Sequence, residues 1–258
     1  MRNRNMDRLK RVLDEKVALY NRKEFIANDP IQFPHAFSEK RDVEISAFLS
    51  SVIAWGNRKM ILNSGKKMLF GIMDGKPYDY IMSNEWQQLD DKVNIHRTFF
   101  VQDFKYLCRG LQYIYNRHNS MENLFAGKTT VWDGIAALRE LIAQQNDGEL
   151  SRHISNPVAV AGRPASACKR IHMMLRWLCR NDGIVDLGIW NQINPSQLMI
   201  PVDVHVSRTG RALGLIERKS NDRLTVEQLT QKLAMFSPDD PVKYDFALFG
   251  IGIEGDTI

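Results

Sequence analysis

Apolar residues along this chain recur mostly at spacings of three and four, the mark of helices with one buried face. In "NMDRLKRVLDEKVALYN" residues Met6, Leu9, Leu13, Val17 and Tyr20 form one stripe among charges, which predicts a helix over 6–20. "RDVEISAFLSSVIAW" (41–55) is apolar almost throughout beyond Glu44, as expected of a helix buried on most sides. Gly56 interrupts it, and helical spacing resumes over 57–73. Further helices are predicted at 77–82, 84–91, 101–117, 120–125, 131–144 and 148–153, with punctuation such as "DGKP" and "NDGE" between them. Later elements are expected at 166–182, around 187–192, behind Asp203, at 225–236 and from 240 onward. Thr225 is the candidate N-cap of the helix at 225–236, with Gln228 completing a capping box. For the last helix Asp240 is read as the cap, Pro241 as the first residue and Gly250 as the stop. No alternating pair of strands joined by a tight turn is visible, so the chain reads as all-α.

The clearest helix is "SACKRIHMMLRWLCRND" (166–182). Ile171, Met174, Leu175 and Leu178 share one side, while Lys169, His172, Arg176 and Arg180 gather on the other. Two readings follow: a solvated face, or an electropositive strip in which Arg176 and Arg180 meet phosphates or act on Lys169 by like-charge repulsion. "MIPVDVHVSRTGRALGL" (199–215) poses a similar choice. Asp203, behind Pro201, suits an N-cap. An acid followed by His205 and Arg208 also has the makings of a site.

The first helix has no evident partner nearby, so residues 1–40 are expected to pack with a C-terminal domain at 166–258, leaving 41–165 as a separate helical domain across a cleft. An apolar share of 44% over 258 residues supports a real interior and excludes a disordered chain. Lys and Arg number 35 against 30 Asp and Glu, a surplus that permits a polyanionic partner without requiring one. Cys108, Cys168 and Cys179 form no C-x-x-C and cannot fill a four-thiolate site, so no metal or other cofactor is expected. They do not resemble a disulfide scaffold either, which points to a reducing compartment. The opening "MRNRNMDRLKRVL" reads as an amphipathic helix rather than a leader, and no apolar run has bilayer length. The expectation is a cytoplasmic monomer away from membranes.

A lysine on a basic helix face, followed by "PVDVHVSR" at the start of a later helix, resembles the helix-hairpin-helix DNA glycosylase superfamily, which includes endonuclease III and the 8-oxoguanine DNA glycosylases. Across nearly its whole length the chain also resembles an uncharacterised bacterial family within or beside that superfamily, through "DPIQFPHAF", "AWGNRK", "SACKRIHMMLRWLCR", "PVDVHVSR" and "PVKYDFALFG". The resemblance implies two helical domains, a Lys169 nucleophile and an Asp203 carboxylate acting on double-stranded DNA that carries a damaged base, an oxidised purine among the candidates. It places His205 and Arg208 at the phosphate backbone or in helix packing. It aligns Gly162 with the hairpin turn, and puts Trp55 or Asn57 where a side chain fills the gap left by the flipped base. His172 and Met173, one turn beyond the lysine, would border the base pocket.

This chain departs from the pattern at the hairpin. "NPVAVAGRPASACK" has one glycine where familiar members carry a glycine-rich turn, Lys169 and Asp203 stand 34 positions apart, and the iron–sulfur cysteines are absent. The alternative is a non-catalytic DNA- or RNA-binding protein on the same fold.

Overall fold

A computed structural model describes residues 2–255, with side chains from residue 5 onward. It is mostly helical. The α-helices are α1 (Arg2–Tyr20), α2 (Lys23–Ile26), α3 (Lys40–Val52), α4 (Arg58–Lys66), α5 (Pro77–Ser83), α6 (Val101–Arg117), α7 (Val131–Gln144), α8 (Lys169–Cys179), α9 (Val204–Ala212), α10 (Arg223–Ala234) and α11 (Tyr244–Glu254). No described helix is long and apolar enough to cross a membrane.

The chain divides into two compact units. One takes the residues up to Phe25 and again from Pro157, and the other is Ile26–Asn156. The boundaries therefore fall at 26 and 157 rather than at 41 and 166. Two short 3₁₀ turns, Pro30–Gln32 and Pro34–Ala36, pack against α3 and draw residues 26–40 into the contiguous unit. At the other boundary, Arg223 N–H donates to the Ala165 carbonyl at 3.1 Å and Ser166 bridges Asp222, which ties the approach to α8 onto α10.

In the contiguous unit α3 is the buried centre, as its unbroken apolar run requires: Val43 through Val52 are all buried. The acid in that run, Glu44, survives burial because it is fully served. Its carboxylate accepts from Tyr115 Oη at 2.8 Å, from Met121 N at 3.0 Å and from Ser120 Oγ, with Lys40 Nζ 4.0 Å away. Residues 67–72 are wound as a π-helix directly after α4. A two-stranded ribbon, β1 (Asn94–His96) with β2 (Phe99–Phe100), corrects the expectation of no hairpin. It was missed because its strands are too short to show alternation, and its turn residue Arg97 holds a φ of +48° without being glycine. The stretches 148–153 and 187–192 are not helices: both are irregular, the first with turns at its ends and the second with a bridge from Leu187 to Asn181.

In the discontinuous unit α11 is the spine. Tyr244 Oη donates to Asp14 at 2.9 Å and Tyr20 Oη to Glu254 at 2.7 Å, so α1 and α11 run in the same direction side by side. Lys243 reinforces the first contact, with Nζ 3.1 Å from Asp14. On its other side α11 packs against α9. Both approaches are close. A Cβ on Gly250 would lie 2.3 Å from the Tyr20 ring, and one on Gly252 would lie 2.9 Å from His205 Cβ and 3.0 Å from its carbonyl oxygen. Gly250 consequently sits inside the helix, and the stop is Gly255 at φ +71°. Asp240 caps a 3₁₀ turn (Pro241–Lys243) leading into α11. Likewise Asp222 and not Thr225 caps α10, since its carboxylate accepts from Thr225 N at 3.0 Å and from Arg218 and Ser220 as well.

These contacts set opposite expectations for two glycines. Gly250→Ala forces the Tyr20 ring aside and is expected to cost about 1–3 kcal/mol, more than the helix propensity it gains. Gly71→Ala meets open space at an ordinary φ and is expected to be neutral or to stabilise by up to about 1 kcal/mol. Urea denaturation of both variants checks the contrast, and equal effects would remove close packing as the reason for Gly250.

Candidate functional site

The approach to α8 turns sharply at Cys168, which lies in the left-handed region at φ +43°, and α8 begins with the next residue, Lys169. Pro201 and buried Val202 deliver the chain to Asp203, which takes an extended conformation and opens α9. One carboxylate oxygen of Asp203, Oδ1, accepts from Val206 N at 2.8 Å and so caps the helix. The other, Oδ2, stands 3.5 Å from Lys169 Nζ. The Lys169 side chain is 34% exposed and that of Asp203 11%. Capping and pairing with the lysine are thus not alternatives. Each oxygen does one of them, across two helix starts 34 positions apart in sequence.

Behind this pair the basic strip is turned inward. Arg176 and Arg180 were expected at a phosphate backbone, yet their side chains are only 4% and 7% exposed. Arg176 Nε donates to Asp186 Oδ1 at 3.2 Å, its Nη1 donates to Asp245 Oδ2, and its guanidinium lies 4.2 Å from the Phe246 ring centre. Arg180 donates to Asp186 at 2.9 Å, to Asp240 at 2.8 Å and to Asp182. Two guanidinium groups therefore meet four carboxylates, three of them buried or nearly so and Asp240 part-exposed. The sequence signal for this was present in the acids of "RNDGIVD" and "PDDPVKYD", which can reach α8 only through the tertiary fold.

Asp245 is the residue that sequence reasoning passed over. It lies in the first turn of α11 and is buried. Burial pushes its carboxyl up to about 7; the Arg176 guanidinium and the Lys169 ammonium oppose the rise, while Asp203 and Asp186 add to it. Asp245 thus couples electrostatically to both members of the Lys169–Asp203 pair. The signal was a lone acid entering a strongly apolar run, "YDFALFGIGI".

His172 is fully buried, and desolvation, aided by the Arg223 charge, lowers it to about 3, so it is a neutral interior group and not an open pocket wall. Met173 is half-buried. His205 and Arg208 converge on one acceptor, the Gly252 carbonyl near the end of α11, with His205 Nδ1 at 3.2 Å and Arg208 through Nη2. They join α9 to α11, and Arg208 remains exposed. Gly162, at φ +74°, occupies an exposed turn closed by Val160 N–H to the Arg163 carbonyl at 3.1 Å and Arg163 N–H to the Val160 carbonyl at 2.8 Å. No helix lies between Gln144 and Lys169, so the first helix of the expected helix-hairpin-helix is not there. In the other unit Trp55 is half-buried at the end of the α3 segment, stacked on His153 at 5.4 Å and edge-on to His96 at 4.7 Å. Asn57 is exposed and caps α4, accepting from Met60 N at 3.4 Å.

The Asp245 carboxyl carries a pH signature. Its folded value lies above the ordinary 3.8, so its contribution to stability is complete below about 3.8 and is lost as pH rises through about 7. The stability of the native chain relative to Asp245→Asn is therefore expected to fall with rising pH across that window, by on the order of 1 kcal/mol per pH unit. Urea denaturation at a series of pH values checks it. A difference that stays flat from pH 4 to 7 would mean that Asp245 is already ionised at the acid end.

No curated protein and no solved structure matches the chain. One family does match, over residues 29–254, and its description is "Protein of unknown function (DUF2400)". The matched span holds Lys169, Asp203 and Asp245 together with all of Ile26–Asn156 from position 29 on, and the chain belongs to this family.

Proposed function

We propose that the protein is a DNA glycosylase with associated strand-nicking activity, acting on a damaged base, with Lys169 as nucleophile and Asp203 as the carboxylate beside it. The observation that carries this reading is the 3.5 Å approach of Lys169 Nζ to Asp203 Oδ2, with the amine accessible and the carboxylate nearly enclosed. Removing a base breaks the bond from C1′ to the base nitrogen, the electron pair leaving with the base and positive charge building on the sugar. A fixed carboxylate next to that charge lowers the barrier, and its fixing costs nothing at the moment of reaction because the α9 cap already holds it. The amine of Lys169, having given up its proton, attacks C1′. The bond from C1′ to the ring oxygen then breaks, and that oxygen takes up a proton released by the nitrogen and stays on C4′ as a hydroxyl. The resulting Schiff base undergoes the β-elimination that nicks the strand. The base must leave the stack first.

A second reading has its own support. The segment before α8 holds no helix, and Arg176 and Arg180 are consumed by carboxylates. On that reading the chain binds nucleic acid without cutting it, and the Lys169–Asp203 pair only fastens α8 to α9.

Borohydride added to a panel of damaged duplexes distinguishes the two. Wild type is expected to form a covalent adduct on at least one substrate, and Lys169→Gln to form none while still binding duplex. Asp203→Asn retains a capping oxygen, so its melting temperature should stay near wild type while single-turnover base release slows about 10²–10³-fold. An Asp203→Asn protein that excises at the wild-type rate reduces the acid to a cap. A wild type that cuts nothing across the panel leaves the binding protein.

A further inference from the structure

The unit Ile26–Asn156 carries its own cavity, of about 520 Å³, along one face of α6. Lys105, Arg109, Gln112, Tyr113 and Asn116 recur on α6 at i, i+4, i+7, i+8 and i+11 and so project from the same side. Trp86 and Gln145 complete the wall from the preceding 3₁₀ turn and the end of α7. A space of this size suits a ligand of a few hundred daltons.

Charge is the distinctive feature of this lining. Three cations, Lys105, Arg109 and Arg117, face a single carboxylate, Asp91. Lys105 spends its charge on that acid, with Nζ 2.7 Å from Asp91 Oδ1. The two arginines are satisfied only by neutral partners. Arg109 donates to the Asn146 amide oxygen at 2.6 Å, and the Arg117 guanidinium lies 3.6 Å from the centre of the Tyr113 ring. Neither has a carboxylate within ion-pair distance among the described residues, in contrast to Arg176 and Arg180. The cavity thus keeps two positive charges that nothing within the described chain neutralises. Between them stand amides able to both donate and accept. Those of Asn116 and Gln145 make no hydrogen bond among the described residues. Guanidinium groups select phosphate, amides select the edge of a heterocyclic base, and an aromatic ring offers a surface for it.

We propose that this cavity is a nucleotide site, in which Arg109 and Arg117 hold a phosphate group and the amide and aromatic wall takes the base. The same chemistry is offered by a free nucleoside phosphate and by a phosphorylated end of a nucleic-acid strand. The site stands whether or not Lys169 is a nucleophile, since the two share no residue.

Calorimetric titration of the full chain with adenosine 5′-monophosphate, adenosine and a 5′-phosphorylated trinucleotide tests it. The monophosphate is expected to bind saturably and adenosine far more weakly. Arg109→Gln and Arg117→Gln are each expected to weaken binding about tenfold or more with the melting temperature of Arg117→Gln unchanged. Trinucleotide binding much tighter than monophosphate assigns the site to a strand end, and equal or weaker binding assigns it to a free nucleotide. The proposal is overturned if neither phosphorylated probe saturates at millimolar concentration, or if both arginine variants bind as wild type does.

Discussion

The guanidinium of Arg176, enclosed between Asp186 and Asp245, fixes the geometry on which the rest of its unit depends. A buried cation cannot be left with half its partners. Removing one member of such a pair costs roughly 3–5 kcal/mol, because the survivor stays desolvated and uncompensated. The two acids come from different places, one from the loop after α8 and one from α11. Satisfying them therefore dictates where α8 lies against α11, and with it where the first residue of α8, Lys169, is held. Arg180 extends the arrangement to Asp182 and Asp240. Four carboxylates against two guanidiniums is an excess of acid, and burial answers it unevenly: it raises the Asp186 carboxyl from its usual value and pushes Asp245 up to about 7.

The glycines of α11 supply the matching steric constraint. With no side chain at Gly250 and Gly252, the helix lies against Tyr20 on one flank and His205 on the other at distances that a methyl group would not permit. Charge fixes the register of α8 and closeness fixes that of α9. Asp203, at the start of α9, meets Lys169 because both conditions hold at once. The same unit shows how a helix end is used twice, since the carboxylate that satisfies the orphan amide of Val206 leaves its second oxygen for the amine.

Much of this architecture was legible in the sequence wherever an apolar stripe was long. The stripes ending at Tyr20, filling 43–52 and running through 101–117 are helices at those places. What could not be read was the direction of polar residues. Lys169, His172, Arg176 and Arg180 share a helix face, but the face turns gradually into the interior, so the first remains part-exposed while the others are buried. Spacing along one helix does not reveal what covers it. Caps were misplaced for a related reason. Thr225 and Asp222 lie three positions apart and both suit the role, and the choice fell to the acid because Arg218 and Ser220 hold its second oxygen. The pairing of Lys169 with Asp203 was suggested by resemblance and by no local pattern. Asp245 was passed over because a single acid in an apolar run resembles a helix-opening residue, and only the fold brings Arg176 to it.

The parallel pairing of α1 with α11 has a consequence for how the chain is made. Tyr20 and Glu254 are 234 positions apart, and Asp14 and Tyr244 are 230 apart. During synthesis the stretch 26–156 is complete long before Tyr244 emerges from the ribosome, and it needs nothing later to close its core around α3. The opening helix has no such freedom. Its Leu13 and Tyr20 stay without their seat until α11 has been made, so one unit can mature vectorially while the other must wait for residues 244–254. The nascent chain thus carries an unsatisfied amphipathic segment across the 234 positions that separate Tyr20 from Glu254, the kind of exposed apolar surface that chaperones shield.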